Sequence, residues 1–281
     1  MTHALTRIIV ATDLSPRSDR AVERAFQVAN LLSLPVEALL VLDDALPETL
    51  LSPLHSKAHS QLGALCARSA NGVRYSINVQ IGDPTEQLVN ASEPAETTLL
   101  VMGPHRPRPF LDKLRETTMQ RVVRRTGAAV LLVNEPVMGS YKKILSMIDF
   151  NDPSTAAMQL GASLSGNTSP ITPVHAVHIP YSGALDTTGT IQLDLQNSLS
   201  DDAVSQDKIW RAGFGDLEPR LNATEICVSP PEGLVKDATA DRSYDLITAG
   251  AHGPVGAGRS LLGSVADDLM RNPPCDVLIS R

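Results

Sequence analysis

Five glycines fall among the seventeen residues from Ala249 to Val265, AGAHGPVGAGRSLLGSV, directly behind the apolar stretch YDLIT. Bare backbone at the end of a strand lets peptide N–H groups approach an anion without side-chain obstruction. Gly250 and Gly253 supply that freedom, while Gly263 and Ser264 stand ahead of VADDLM, which reads as a helix. A helix start carries free N–H donors and a partial positive charge, and Ser264 can cap it as well as offer a hydroxyl to a phosphate. Phosphate is the expected guest. GPVGAGRS (Gly253 to Ser260) has P-loop spacing, but Arg259 stands where that motif needs lysine, and only 21 residues follow Ser260.

Other reactive side chains make no comparable pattern. There is no G-x-S-x-G elbow and no H-E-x-x-H. His55 and His59 have i, i+4 spacing, and His175 and His178 are close in sequence, yet neither pair has a recognisable third ligand, so packing or surface roles are expected. His252 reads as an exposed loop histidine. Cys66, Cys227 and Cys275 lack CxxC spacing and are odd in number, which suits reduced thiols. Arg106 to Arg125 holds seven basic residues against Asp112 and Glu116, with Arg121, Arg124 and Arg125 neighbouring on a helix. A solvated face is the default for such a run, and an anionic partner is the sharper alternative.

These residues sit in a chain of 281 with 42% hydrophobic but only 3% aromatic content, enough for two domains with aliphatic cores. No run of about 18 apolar residues spans a membrane, and the opening MTHALTRIIV lacks a signal-peptide pattern, so a cytoplasmic location is expected. Net charge is −7, with 14 basic and 14 acidic residues in 1–138 against 10 and 17 in 139–281. That balance speaks against general nucleic-acid binding.

The elements that must hold the glycines come twice. RIIVATDLSPRSDRAVERAFQVANLLSLPVEALLVLDD reads as strand, helix, strand, with Ser15 as N-cap, Pro16 at the first helical position and apolar residues at helical spacing. KKILSMIDFNDPSTAAMQLGASLSGNTSPITPVHAVHI repeats the phrase 136 residues later, with Asp149 in place of Asp13, Asn151 of Ser15 and Val177 of Val41. TTLLVMGPHRPRPFLDKLRETTMQRVVRRTGAAVLLV pairs with YDLITAGAHGPVGAGRSLLGSVADDLMRNPPCDVLIS at an offset of 147. Such long offsets mean a duplicated domain, not a solenoid. NEPVMGSY (Asn134 to Tyr141) is the natural linker, dividing the chain into 1–138 and 139–281. Near-continuous apolar strands alternating with helices predict two tandem, open, doubly wound parallel sheets of the Rossmann-like α/β class. YSGALDTTGTIQLDLQNSLSDD is polar and reads as a surface loop leading to a helix around Ala203 to Trp210.

The spacing Gly250-x2-Gly253-x9-Gly263-Ser264, the aspartate closing the first strand and the duplicated unit resemble the universal stress protein family over nearly the whole chain. The resemblance implies an adenine-nucleotide-hydrolase-like fold and an internal pseudo-dimer. It implies ATP, with Mg2+, in the second domain, where Asp149 and Val177 flank adenine and ribose. Gly250, Gly253, Gly263 and Ser264 then surround the phosphates, with Ala249 ahead of them and Val265 donating an N–H. VSPPEGL (Val228 to Leu234), where the first copy has IGDPTEQL, departs from the repeat at the wall of the site. At the four motif positions the first copy reads Gly103, Arg106, Glu116 and Thr117. A carboxylate against a triphosphate is repulsive, so the first copy is expected not to take ATP in the family manner, although Asp13 and Val41 remain. The expected output is regulatory, in stress response. A nucleotide-free interaction protein using the basic helix and a slow ATPase are the alternatives, and both a monomer and a homodimer fit a chain that can pair its own halves.

Overall fold

A computed structural model describes residues 4–45, 47–104, 117–177, 190–228, 231–240, 243–251 and 262–281. The first half runs β1 (Arg7–Ala11), α1 (Pro16–Leu32), β2 (Val36–Leu42), α2 (Glu48–Ser69), β3 (Tyr75–Ile81), α3 (Pro84–Ala91), β4 (Thr98–Met102), α4 (Thr118–Arg125) and β5 (Ala129–Leu132). The second runs β6 (Ile144–Ile148), α5 (Asp152–Ser163), β7 (Ile171–Ala176), α6 (Thr190–Arg211), β8 (Glu225–Cys227), α7 (Pro231–Thr239), β9 (Leu246–Gly250), α8 (Ser264–Arg271) and β10 (Asp276–Ser280).

Local chemistry sets these boundaries. Ser15 caps α1 by accepting from the Ser18 N–H, with Pro16 behind it, and Ser33 ends the helix in the left-handed region at φ 57°. Asp83 does the same for α3, its carboxylate accepting from Glu86 N at 2.9 Å. Helix α6 begins at Thr190, well before the expected Ala203, because Leu195, Leu199 and Ala203 form an i, i+4, i+8 stripe beneath the polar residues between them.

Strand side chains alternate between two cores. Ile8 and Val10 face one buried cluster with α1 and α2, while Ile9, Leu100 and Met102 face the other with α3 and α4. Sheets buried on both faces need apolar runs such as LLVM and AVLL, and these supply β4 and β5.

Among the described residues ten strands join one sheet in the order β3-β2-β1-β4-β5-β10-β9-β6-β7-β8, parallel within each half and antiparallel where β5 meets β10. The register there pairs Val130 with Ile279, Leu131 with Leu278 and Leu132 with Val277. Leu131 and Leu278 are equivalent in the two copies at the 147 offset, so a local two-fold axis passes between them. Gln120 Nε2 donates to Asp267 Oδ1 at 2.8 Å, and those residues too are 147 apart. Because the halves are antiparallel at the junction, their strands end at opposite edges of the sheet.

One buried cluster breaks this symmetry. The wholly buried Asp276 accepts from the N–H groups of Asn134 and Glu135 through Oδ1, at 2.8 and 3.0 Å, and from the Tyr141 hydroxyl through Oδ2 at 2.7 Å. Arg24 Nε lies 3.2 Å from Oδ2 as an ion pair without an aligned hydrogen bond, and its guanidinium carbon sits 4.2 Å above the Tyr141 ring. Arg24 Nη1 also donates to the Gly139 carbonyl at 2.7 Å. The cluster thus ties α1, the 134–141 connection and β10 together.

Candidate functional site

Asp149 follows the last residue of β6, where the chain turns sharply through Phe150 at φ 61° into α5. Its Oδ1 accepts from Ser154 Oγ at 2.6 Å and Asn151 N at 3.2 Å, and its Oδ2 from Asn151 Nδ2 at 3.1 Å. Asn151 therefore serves Asp149 and gives α5 no side-chain cap. A carboxylate has about four acceptor positions, so one remains for a ligand hydroxyl or amine. Asp13 repeats the arrangement: Leu14 at φ 59° follows it, and its Oδ1 accepts from Ser15 N at 3.0 Å and Ser18 Oγ at 2.8 Å. Burial alone raises the Asp13 carboxyl, but the Ser15 and Ser18 hydrogen bonds outweigh it and hold the group below its ordinary value. Both aspartates thus have a local structural role alongside any ligand role.

A cavity of about 480 Å³ opens at the carboxyl ends of β6, β7 and β9, where the strand order reverses. Asp149 and Val177 line one side of it. Ala249, Gly250, Gly263, Ser264 and Val265 line the other, brought there by the end of β9 and the start of α8. Gly253 lies outside the described residues, as do Arg259, Arg106 and Glu116.

Two of these residues do something the sequence reading did not assign. A Cβ on Gly250 would stand 2.9 Å from Ser154 N and 3.2 Å from Pro153 Cβ, so this glycine lets the start of α5 pack on β9. Gly103 plays the same part against α1, with Ser18 Cα at 3.1 Å, which accounts for its retention in the first copy. The N-cap of α8 is Gly263, not Ser264, which is the first helical residue, and the cap forms no side-chain hydrogen bond. Helix α4 differs. Thr117 caps it by accepting from Gln120 N at 3.2 Å, and Gln120 Oε1 accepts from Thr117 N at 2.9 Å, a complete capping box.

The cavity also contains residues the sequence reading passed over. His175, placed among ordinary histidines, lines it. Its Nδ1 is 2.9 Å from the Ile148 carbonyl, which can only accept, so Nδ1 carries a proton, and its ring is 4.5 Å from that of Phe150. Leu199, Asp202, Ala203 and Gln206 of α6 complete the wall. In the first half Leu54, Lys57, Ala58 and Gln61 of α2 border a recess shared with Asp13 and Val41. LHSKAHSQ (54–61) and LSDDAVSQ (199–206) are thus one more repeat, at an offset of 145, and the signal was legible. Its loss lay in the polar residues that surround it.

The basic face of α4 is only partly free. Arg121 and Arg125 are exposed, whereas Arg281, at the end of the second half, donates to the carbonyls of Val123 and Arg124. Among the described residues no group of three His, Cys, Asp or Glu could hold a metal ion, and no helix is long and apolar enough to cross a membrane.

A model of the universal stress protein family matches residues 5–134 and again 140–281. The chain belongs to the universal stress protein family, as a tandem two-domain member. A curated Staphylococcus haemolyticus protein named for the same family is 26% identical over 147 residues, covering 51% of this chain and 87% of that one. The crystal structure of a universal stress protein from Archaeoglobus fulgidus superposes with a TM-score of 0.68 at 16% identity, covering 98% of each chain. A universal stress protein crystallised in complex with cAMP covers 47% of this chain and 98% of its own, with 22% identity and a TM-score of 0.37.

Proposed function

We propose that the second half binds an adenine nucleotide, ATP with Mg2+, in the 480 Å³ cavity, and that the first half is its structural partner in a stress-response regulator. The carrying observation is the contrast between the two helix starts. In the second half Gly263 presents the α8 N-terminus without a side-chain cap, whereas in the first half Thr117 and Gln120 occupy the equivalent place at α4 with their own capping box. The described lining of the cavity carries Asp149 and Asp202 and no lysine or arginine. Carboxylates suit the ribose hydroxyls and amino groups of a nucleoside, while a triphosphate beside them requires a divalent counter-charge, which is the part Mg2+ takes.

The test is a calorimetric titration of ATP with Mg2+ into the wild type and Gly263→Glu. Gly263 has φ −65° and ψ 149°, a conformation open to any residue, so the substitution adds charge without straining the backbone. One site per chain, lost in the variant at an unchanged unfolding temperature, is the expected result. No binding to the wild type, or equal binding to both proteins, refutes the reading.

A further inference from the structure

The described lining of the cavity in the first half, with that of its neighbouring recess, has the opposite charge. The cavity measures about 730 Å³, lies at the carboxyl ends of β1, β2 and β4, and shares Asp13 and Val41 with the neighbouring recess bordered by α2. Asp13, Val41 and Leu88 correspond to Asp149, Val177 and Leu234. Two replacements alter the electrostatics. Lys57 stands where α6 has Asp202, with the same Leu, Ala and Gln neighbours on the helix face, and Arg17 stands where α5 has Pro153. A third, Leu39 for His175, exchanges a polar ring for an aliphatic wall.

The described residues lining the first cavity and its recess therefore carry two cations against the Asp13 carboxylate, whereas those of the second carry two carboxylates and no arginine or lysine. Neither Arg17 nor Lys57 forms an ion pair or hydrogen bond among the described residues, so both charges are available. Leu39, Leu88, Met102 and Met119 give the cavity an apolar floor. The volume is in the range that encloses a small organic molecule.

From this geometry we infer that the first half is a second ligand site, for a small amphipathic organic anion whose charged group meets Arg17 and Lys57 while its apolar body lies on the leucine and methionine floor. Such a ligand needs neither the glycine-rich loop nor a free helix start. The inference stands whether or not the second half binds nucleotide.

Anilinonaphthalenesulfonate, an amphipathic anion that fluoresces in apolar surroundings, is a suitable probe. The full chain should bind one equivalent, with affinity falling as salt rises. Lys57→Asp, which imports the residue of the second copy, and Arg17→Ala should each weaken it by about threefold to fivefold, as expected for loss of a charge partner at an exposed site. Both side chains are exposed, so unfolding midpoints should not move. The reciprocal Asp202→Lys should leave the first site intact. No binding by the wild type, binding indifferent to Lys57 and Arg17, or binding that follows Asp202 alone overturns the proposal.

Discussion

Asp276→Ala should cost this fold more than removal of the cation it faces. Three donors and one cation converge on the Asp276 carboxylate: the peptide groups of Asn134 and Glu135 and the Tyr141 hydroxyl donate to it, and the guanidinium of Arg24, which is only 4% exposed, is its ion-pair partner. Burial and the neighbouring carboxylate push the Tyr141 hydroxyl well above its ordinary value, so it stays a donor at any working pH. Alanine leaves a buried guanidinium without its counter-charge, which costs about 3–5 kcal/mol. It also orphans two peptide N–H groups at roughly 1–3 kcal/mol each, part of which entering water restores. A loss of about 5 kcal/mol is a large share of a net stability of roughly 5–15 kcal/mol. Arg24→Met leaves the carboxylate with three hydrogen bonds, so its cost should stay near 3 kcal/mol, at the low end of the range for one broken partner. The double variant should be less damaged than the sum of the two, by roughly 2 kcal/mol. Urea unfolding of the four proteins, with midpoint and slope followed together, measures this. Equal costs for the two single variants, or strict additivity, would refute the reasoning.

Two glycine variants test close packing. In Gly161→Ala the added methyl meets Thr248 Cγ2 at 2.5 Å, so stability should fall by about 1–3 kcal/mol despite better helix propensity, and Thr248→Ser should recover most of it. Gly250→Ala should lower the unfolding temperature in the absence of any nucleotide, because its Cβ meets the Ser154 backbone; an unchanged temperature would return this glycine to a purely ligand-facing role. Asp83→Ala should cost about 1 kcal/mol through the lost cap of α3, and Asp83→Asn much less, as read from denaturant midpoints. The carboxyls of Asp13, through Ser15 and Ser18, and of Asp83, through the Glu86 N–H, are held below their ordinary values. Their contribution is complete above the unfolded carboxylate value of about 4 and is lost as the pH falls through the depressed folded values; Ser18→Ala should flatten that acid limb in a stability titration from pH 6 to 2.

Much of this architecture could be read from the residues. Apolar runs such as RIIVA and LLVM could only be strands buried on both faces, and the doubled phrase around Asp13 and Asp149 identified the repeat. The antiparallel pairing of β5 with β10 was not legible, since AVLL and DVLIS carry no mark of which neighbour they will choose. Neither was the Arg24 and Asp276 cluster, whose members are 252 residues apart and lie in an ordinary helix and strand. At the candidate site, glycines could be recognised but not sorted: packing on α5 explains Gly250, whereas Gly263 is the N-cap of α8 and lines the cavity. The face of α6 escaped because its period is carried by three apolar residues in a polar stretch, and charge at its fourth position differs between the copies.

Equivalent positions to Arg24 and Asp276 in the other half are Leu160 and Ala129, so the buried ion pair occurs once. In an association of two identical chains every substitution appears twice, and a charge near the axis meets its own image. Joining the copies through a short connection removes that constraint. It also makes their association unimolecular, at an effective concentration on the order of millimolar or above. Dilution should therefore not separate the halves, and the two cavities, opening at opposite edges of one sheet, are free to drift toward unrelated ligands at a fixed ratio of one to one.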